Sequence, residues 1–308
     1  ASVTKLAAIP SNIAYNLALA FIPAMAASAI FGLIYSMVRS IGASLKIALV
    51  PSLLGPVFLI VISNLEGVLE FLRANGLGSY SFWNWIAIKG LSGPFPSEGW
   101  YPQDFWWWWR ASRVIDTLDG TQSLDYTIQE FPFFSFLLGD LHPHMMAIPF
   151  ILLFMVFCYN VLSSDGRLGL GWLFRNPLSV LVLGVSLGSL SFINVWDMPT
   201  FGALFAGVVL LNAYRRSRGS VRSLITKEAH HIMAVIVVVV TLAFVLYLPF
   251  YDTLSSQASG ILPVEGPTTR YIHFFLVWGF FLLIVIPFLL VVLRNTRASS
   301  GWAWRTFI

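Results

Sequence analysis

Charge is what this sequence has least of. Only 10% of its 308 residues are Asp, Glu, Lys or Arg, against about 25% in soluble domains, and that shortage excludes an ordinary water-soluble fold. Cysteine is nearly absent too. Cys158 stands alone in an apolar run, so no disulfide can form within the chain and the thiol reads as a small hydrophobe. There is no initiator Met and no basic-then-apolar signal segment, and Trp302 to Ile308 read like the start of something further. The chain is therefore expected to be part of a longer polytopic protein or a processed product. Haem, iron–sulfur and quinone motifs are missing, as are internal repeats and any glycine-rich nucleotide cradle, Gly166–Gly171 reading as a turn. No nucleic-acid partner is expected.

What remains is apolar: 57% hydrophobic residues and a mean hydropathy of +0.79. A bilayer core of about 30 Å needs roughly 20 apolar residues in helix. Seven segments qualify, some only with their flanks: Ile13–Val38, Leu45–Leu72, Leu141–Leu162, Pro177–Val195, Pro199–Ala213, Ile232–Phe250 and Ile272–Leu293. The fourth and fifth are short and pair across Trp196-Asp197-Met198-Pro199. Pro23, Pro51, Pro56 and Pro287 predict kinks within spans rather than ends. The expectation is an all-α polytopic membrane protein of about seven transmembrane helices, residues 1–308 forming one membrane domain.

Orientation follows from the basic residues of the loops. With the first residues outside, the inner side holds Arg39, Lys46, Arg167, Arg175, Arg215, Arg216, Arg218, Arg222, Lys227, Arg294, Arg297 and Arg305, but only Asp165 and Glu228 among the acids. This predicts a multi-pass protein of the plasma membrane with an acidic extracytoplasmic surface. Most outer polar sequence lies in one loop, residues 74–131, far longer than the roughly 2–8 residues that usually join helices. It is rich in Trp, Tyr and Phe, which argues against disorder. Within it, Ser81–Lys89 and Asp104–Leu118 are expected as short helices in the membrane interface.

Four groups of residues carry chemistry. The first is Asp140-Leu141-His142-Pro143-His144, at the outer start of the third span. Ionisable groups there cost free energy unless they face water, protein or ligand. The residue before Pro favours an extended backbone, which would put both imidazoles on one side. Asp140 and His142, with His144 beside them, could then hold a divalent metal or a phosphate-bearing substrate; the plainer reading is a loop fixed by hydrogen bonds. The second is Trp106-Trp107-Trp108-Trp109-Arg110-Ala111-Ser112-Arg113. Its tryptophans read as an interfacial belt, and Arg110 and Arg113, three apart, as a two-armed clamp for phosphate or carboxylate or as snorkelling cations. The third is the set of loop acids Asp116, Asp119, Asp125 and Glu130, one of which could serve as a base. The fourth is Asn194-Val195-Trp196-Asp197-Met198-Pro199-Thr200, where Asp197 could cap the following helix or join a binding site. Glu66 and Glu70, at i and i+4, should repel one another and imply a basic partner such as Arg73 or a lipid-facing role. His230 and His231, beside the basic inner loop, read as headgroup contacts.

The passages Trp108–Ile115, Glu130–Phe136, Gly139–His144 and Asn194–Thr200 together resemble the uncharacterised YYY family of polytopic membrane proteins of green non-sulfur bacteria and archaea. That resemblance implies architecture rather than activity. More distantly, Asp140-Leu141-His142-Pro143 is similar to the Asp-x-His-Pro of C-type glycosyltransferases, especially protein mannosyltransferases, which carry an acidic motif about twenty residues earlier. Asp119 and Asp116 lie 21 and 24 positions before Asp140. The paired Asp-Glu of those enzymes is missing here, and His144 replaces their second Pro. The similarity implies a polyprenyl-phosphate-linked sugar donor, Arg110 and Arg113 on its phosphate, and Asp116 or Asp119 as base. The expected function is thus a glycosyltransferase-like membrane protein acting at the extracytoplasmic face, in contact with membrane lipids. The alternative is a non-catalytic accessory subunit of a larger membrane assembly, for example an electron-transport complex, bound to other membrane subunits. Transport ranks behind both, because few charges lie mid-span.

Overall fold

The computed structural model describes residues 5, 7–92, 95, 99–119, 122–255 and 265–298, with side chains to 294. The terminal stretch Trp302–Ile308, with Arg305, lies outside the described residues. Helix dominates, as the composition demands. In chain order the helices are α1 (Ser11–Ser40), α2 (Leu45–Pro56, continued by a π turn Val57–Val61), α3 (Glu66–Ala74), α4 (Tyr80–Ile86), α5 (Pro132–Leu138), α6 (Pro143–Leu162), α7 (Leu170–Arg175), α8 (Pro177–Ile193), α9 (Asp197–Arg216), α10 (Val221–Val245), α11 (Leu248–Thr253) and α12 (Tyr271–Ala298). A 3₁₀ turn, Trp107–Ser112, and a two-residue hairpin, β1 (Leu118–Asp119) with β2 (Gln122–Ser123), complete the described elements.

Among the described residues four helices are long and apolar enough to cross a bilayer, namely α1, α6, α10 and Tyr271–Arg294 of α12; the broken pair Leu45–Val61 and Glu66–Ala74 makes a fifth when counted as one. The other two expected spans are α8, only 17 residues long, and α9, diluted by Asp197, Arg215 and Arg216 at its ends. Proline shapes these helices as expected. Pro23 and Pro287 lie inside α1 and α12 without ending them. Pro51 and Pro56 sit inside α2, where the helix widens into the π turn just after Pro56. Pro143 and Pro177 open α6 and α8, where a missing N–H leaves no bond unmade.

The chain forms two compact units, Ala1–Ile60 with Gly139–Ser259, and Val61–Leu138 with Gly260–Ile308. In the first, α6, α8, α9 and α10 pack around Phe154, Leu183, Leu187, Leu190, Phe205, Val209, Val235 and Val239. Lipid is as apolar as these side chains, so association in a membrane relies on close approach rather than on escape from water. The small residues of α8 provide it. A Cβ on Gly184 would come within 2.7 Å of the Leu242 side chain, and one on Gly188 within 2.6 Å of the Ala243 carbonyl. At the basic end, Asn212 of α9 donates to the carbonyls of Val161, Leu162 and Ser164 and so caps α6. Arg215 joins it on Leu162, and Arg167 pairs with buried Glu228 at 2.9 Å.

The second unit is organised by the long loop. Trp83, Ile86, Ile88, Leu91, Val114 and Leu276 form its core. Ser79 caps α4 by accepting from the Phe82 N–H, and Ala87 closes that helix in the left-handed region. The expected interfacial helix over Ser81–Lys89 is thus present as α4. Over Asp104–Leu118 the expected helix shrinks to the six-residue 3₁₀ turn. Beyond it the backbone is extended, because Ile115 and Thr117 are claimed by the returning strand: Thr127 donates to Ile115, Leu124 to Thr117, and Ile115 to the Gln129 side chain.

Candidate functional site

In the first unit, the loop before α6 and the loop before α9 meet at their helix N-termini. Gly139, with φ of +72°, turns the chain out of α5 in a conformation that suits glycine, and its carbonyl accepts from the Tyr15 hydroxyl of α1 at 3.1 Å. His142 then adopts the extended backbone that Pro143 requires, with φ of −59° and ψ of 149°. Its Nδ1 lies 2.7 Å from the Asp140 carboxylate, the two side chains being 43% and 36% exposed. The His144 ring lies tilted against that of His142, with centroids 5.5 Å apart. Across from it, Asn194 and Asp197 are joined through a backbone bond of 2.9 Å and a side-chain hydrogen bond. Burial pushes the Asp197 carboxyl above its ordinary pKa, against the pull of Asn194 and of the nearby His144. Asp140, His142, His144, Asn194 and Asp197 are therefore brought together. Among the described residues no three His, Cys, Asp or Glu side chains are set to hold a metal ion; Asp140 and His142 supply two donors.

An apolar groove of about 500 Å³ runs between α1 and α6, lined by Phe21, Met25, Ser28, Pro149, Phe150 and Leu153. Pro149 follows His144 by five residues, about 8 Å along the helix. The groove thus begins less than two turns from the polar site.

The remaining four candidates lie in the second unit, and Arg110, Arg113 and Asp116 have side-chain partners there. Arg110 grips Glu70 with two nitrogens, one of them at 2.9 Å, and Asp104 at 3.0 Å. Burial alone would lower the Arg110 pKa, but the hydrogen bond and charge of Glu70 outweigh it and hold the guanidinium above its ordinary value. The basic partner of the Glu66–Glu70 face is therefore Arg110, forty residues away, rather than Arg73 alone. Arg113 lies over the Trp109 ring at 4.5 Å and donates to the Tyr126 hydroxyl at 2.6 Å. Asp116 is buried and accepts from Ser123 at 2.5 Å. Asp119 is exposed on the hairpin. Part of the tryptophan run faces outward, Trp106 being half-exposed beside a largely exposed Phe105, as an aromatic belt requires. The rings of His230 and His231 meet at a tilt, with centroids 3.8 Å apart.

Two polar residues of the second unit were missed in the sequence. His273 is fully buried at the start of α12 and bonds the Ile86 carbonyl at 2.8 Å. Asn64 clamps the 3₁₀ turn through the Ala111 carbonyl at 2.5 Å. The signal for His273 was available, since it is an imidazole at the edge of an apolar run, just as His142 is.

No curated protein and no solved structure matches the chain. A family model does, described as uncharacterized membrane protein (DUF2298), and it covers residues 1–308. The chain accordingly belongs to this family of uncharacterized membrane proteins.

Proposed function

We propose that the protein is a glycosyltransferase-like enzyme of the plasma membrane that uses a polyprenyl-phosphate-linked sugar at the extracytoplasmic face. One observation carries this reading. Five polar residues from two loops converge at a half-exposed site beside a groove that suits a hydrocarbon chain. In the proposed reaction the acceptor hydroxyl gives its proton to the His142 imidazole, oriented by Asp140. The acceptor oxygen bonds to the anomeric carbon as the bond from that carbon to phosphate oxygen breaks, and the electron pair leaves with the polyprenyl phosphate. His144, Asn194 and Asp197 bind sugar or phosphate. Were a divalent cation bound there instead, Asp140 and His142 would supply two of its ligands and its charge would stabilise the departing phosphate, and His142 would then not be the base. Arg110, Arg113 and Asp116 take structural parts in this scheme because each already has partners.

The test is transfer from a panel of radiolabelled polyprenyl-phosphate sugars in proteoliposomes. Turnover lost in Asp140→Asn and His142→Ala supports the reading; equal turnover in wild type and both variants overturns it. The second reading, an accessory subunit, rests on the mutual satisfaction of Arg110, Glu70 and Asp104. It predicts co-purifying membrane subunits in native mass spectrometry and no transfer by wild type.

A further inference from the structure

Glu66 is the most anomalous ionisable group outside the Asp140 site. It opens α3, is 0% exposed, and neither carboxyl oxygen meets a hydrogen-bond donor; its side-chain hydrogen-bond contact is with the Glu70 carboxyl. The local cap does not serve it, since the Asn64 side chain takes the Glu66 backbone N–H instead, at 3.2 Å. One helical turn on, Glu70 is also buried and is held at two points by Arg110, whose Nη2 also donates to Asp104. The Arg110 stem passes close to Gly90, with φ of +88°, where an added Cβ would lie 3.1 Å from Cδ. The charges acting on Glu66 are Glu70, which repels it, and Arg110, which attracts it. Arg73 is the other buried cation of α3.

An ionised carboxylate here would be buried without a donor, beside a second carboxylate that has already claimed the guanidinium. Such a charge is far costlier than the neutral acid. Protonated, Glu66 becomes a donor, and Glu70 at i+4 lies on the same helix face to accept.

We propose that Glu66, Glu70 and Arg110 form a proton-binding site, in which Glu66 is the neutral acid and Glu70 the carboxylate paired with Arg110. The two carboxyls compete for one guanidinium, so the site holds one proton and releases it only when a second cation reaches Glu66. This site is independent of the transferase reading and of its residues.

Infrared spectroscopy of the purified protein in lipid nanodiscs, at neutral pH in heavy water, tests it. The wild-type minus Glu66→Gln difference spectrum should show one buried carboxylic-acid C=O band and no carboxylate band. Glu66→Gln should fold with a melting temperature close to wild type, because an amide replaces a neutral acid without changing charge. Glu70→Gln should abolish the acid band, since Glu66 then ionises against Arg110. A carboxylate band in the first difference spectrum overturns the proposal, as does collapse of Glu66→Gln or an acid band that survives in Glu70→Gln.

Discussion

Two regions of this molecule set a carboxylate against a cation, and they do so in opposite ways. Glu70 is 3% exposed and meets a guanidinium at two points, with Asp104 on a third contact. Asp140 and His142 touch through one contact, and more than a third of each side chain remains open. Both pairs sit in greasy sequence, and both look equally expensive when read as residues. The difference lies in what surrounds them. The Arg110 guanidinium, engaged through Nε and Nη2, ties the 3₁₀ turn to α3. An open imidazole–carboxylate pair at a helix N-terminus contributes little to stability and keeps its proton chemistry accessible.

That contrast can be broken most directly at Arg110. Arg110→Ala leaves Glu70 buried and unpaired, and should cost about 3–5 kcal/mol, read as a large fall in melting temperature in detergent. If the melting temperature barely moves, the closed pair is not structural. Asp140→Asn should do the reverse. Transfer activity should fall about 100-fold or more with the melting temperature unchanged, and a matching loss of stability would place the Asp140 pair in the same class as Arg110. Gly188→Val tests the packing beneath the open site. The added atoms meet the Ala243 carbonyl and the Tyr247 ring, and overpacking of this kind costs about 1–3 kcal/mol. The smallest effect is expected at Asp197, whose pKa is raised by burial. A raised folded-state value means the unfolded chain gives up its proton first, so stability falls as pH rises from the ordinary aspartate value to the raised one. Asp197→Asn should remove that slope and leave the protein slightly more stable at neutral pH, as followed by melting temperature against pH.

Much of the architecture was legible because it depends on local composition. Long apolar runs can satisfy their backbone only as helix in a bilayer, so the positions of α1, α6, α10 and α12 followed from length alone. Pro143 fixed both the start of α6 and the extended backbone at His142, which is why the Asp140–His142–His144 group could be anticipated from five residues. The Arg110 and Arg113 clamp could not be judged this way. Arg110 and Arg113 contact Glu70 and Tyr126, forty and thirteen positions away, whereas helix spacing had offered only Arg73 as a basic partner for Glu66 and Glu70. Asp104–Leu118 failed as a helix for the same reason, since the strand that claims its second half begins beyond residue 121.

The sequence by itself determined that this chain is helical, membrane-bound and poor in charge, because hydropathy and proline act over a few residues. The tertiary structure alone decided which charges meet. It closed Arg110 onto Glu70, left Glu66 without a donor, and brought Asp140, His142, His144, Asn194 and Asp197 near one another. Electrostatic cost depends on three-dimensional distance and on burial, and neither is a property of position along the chain.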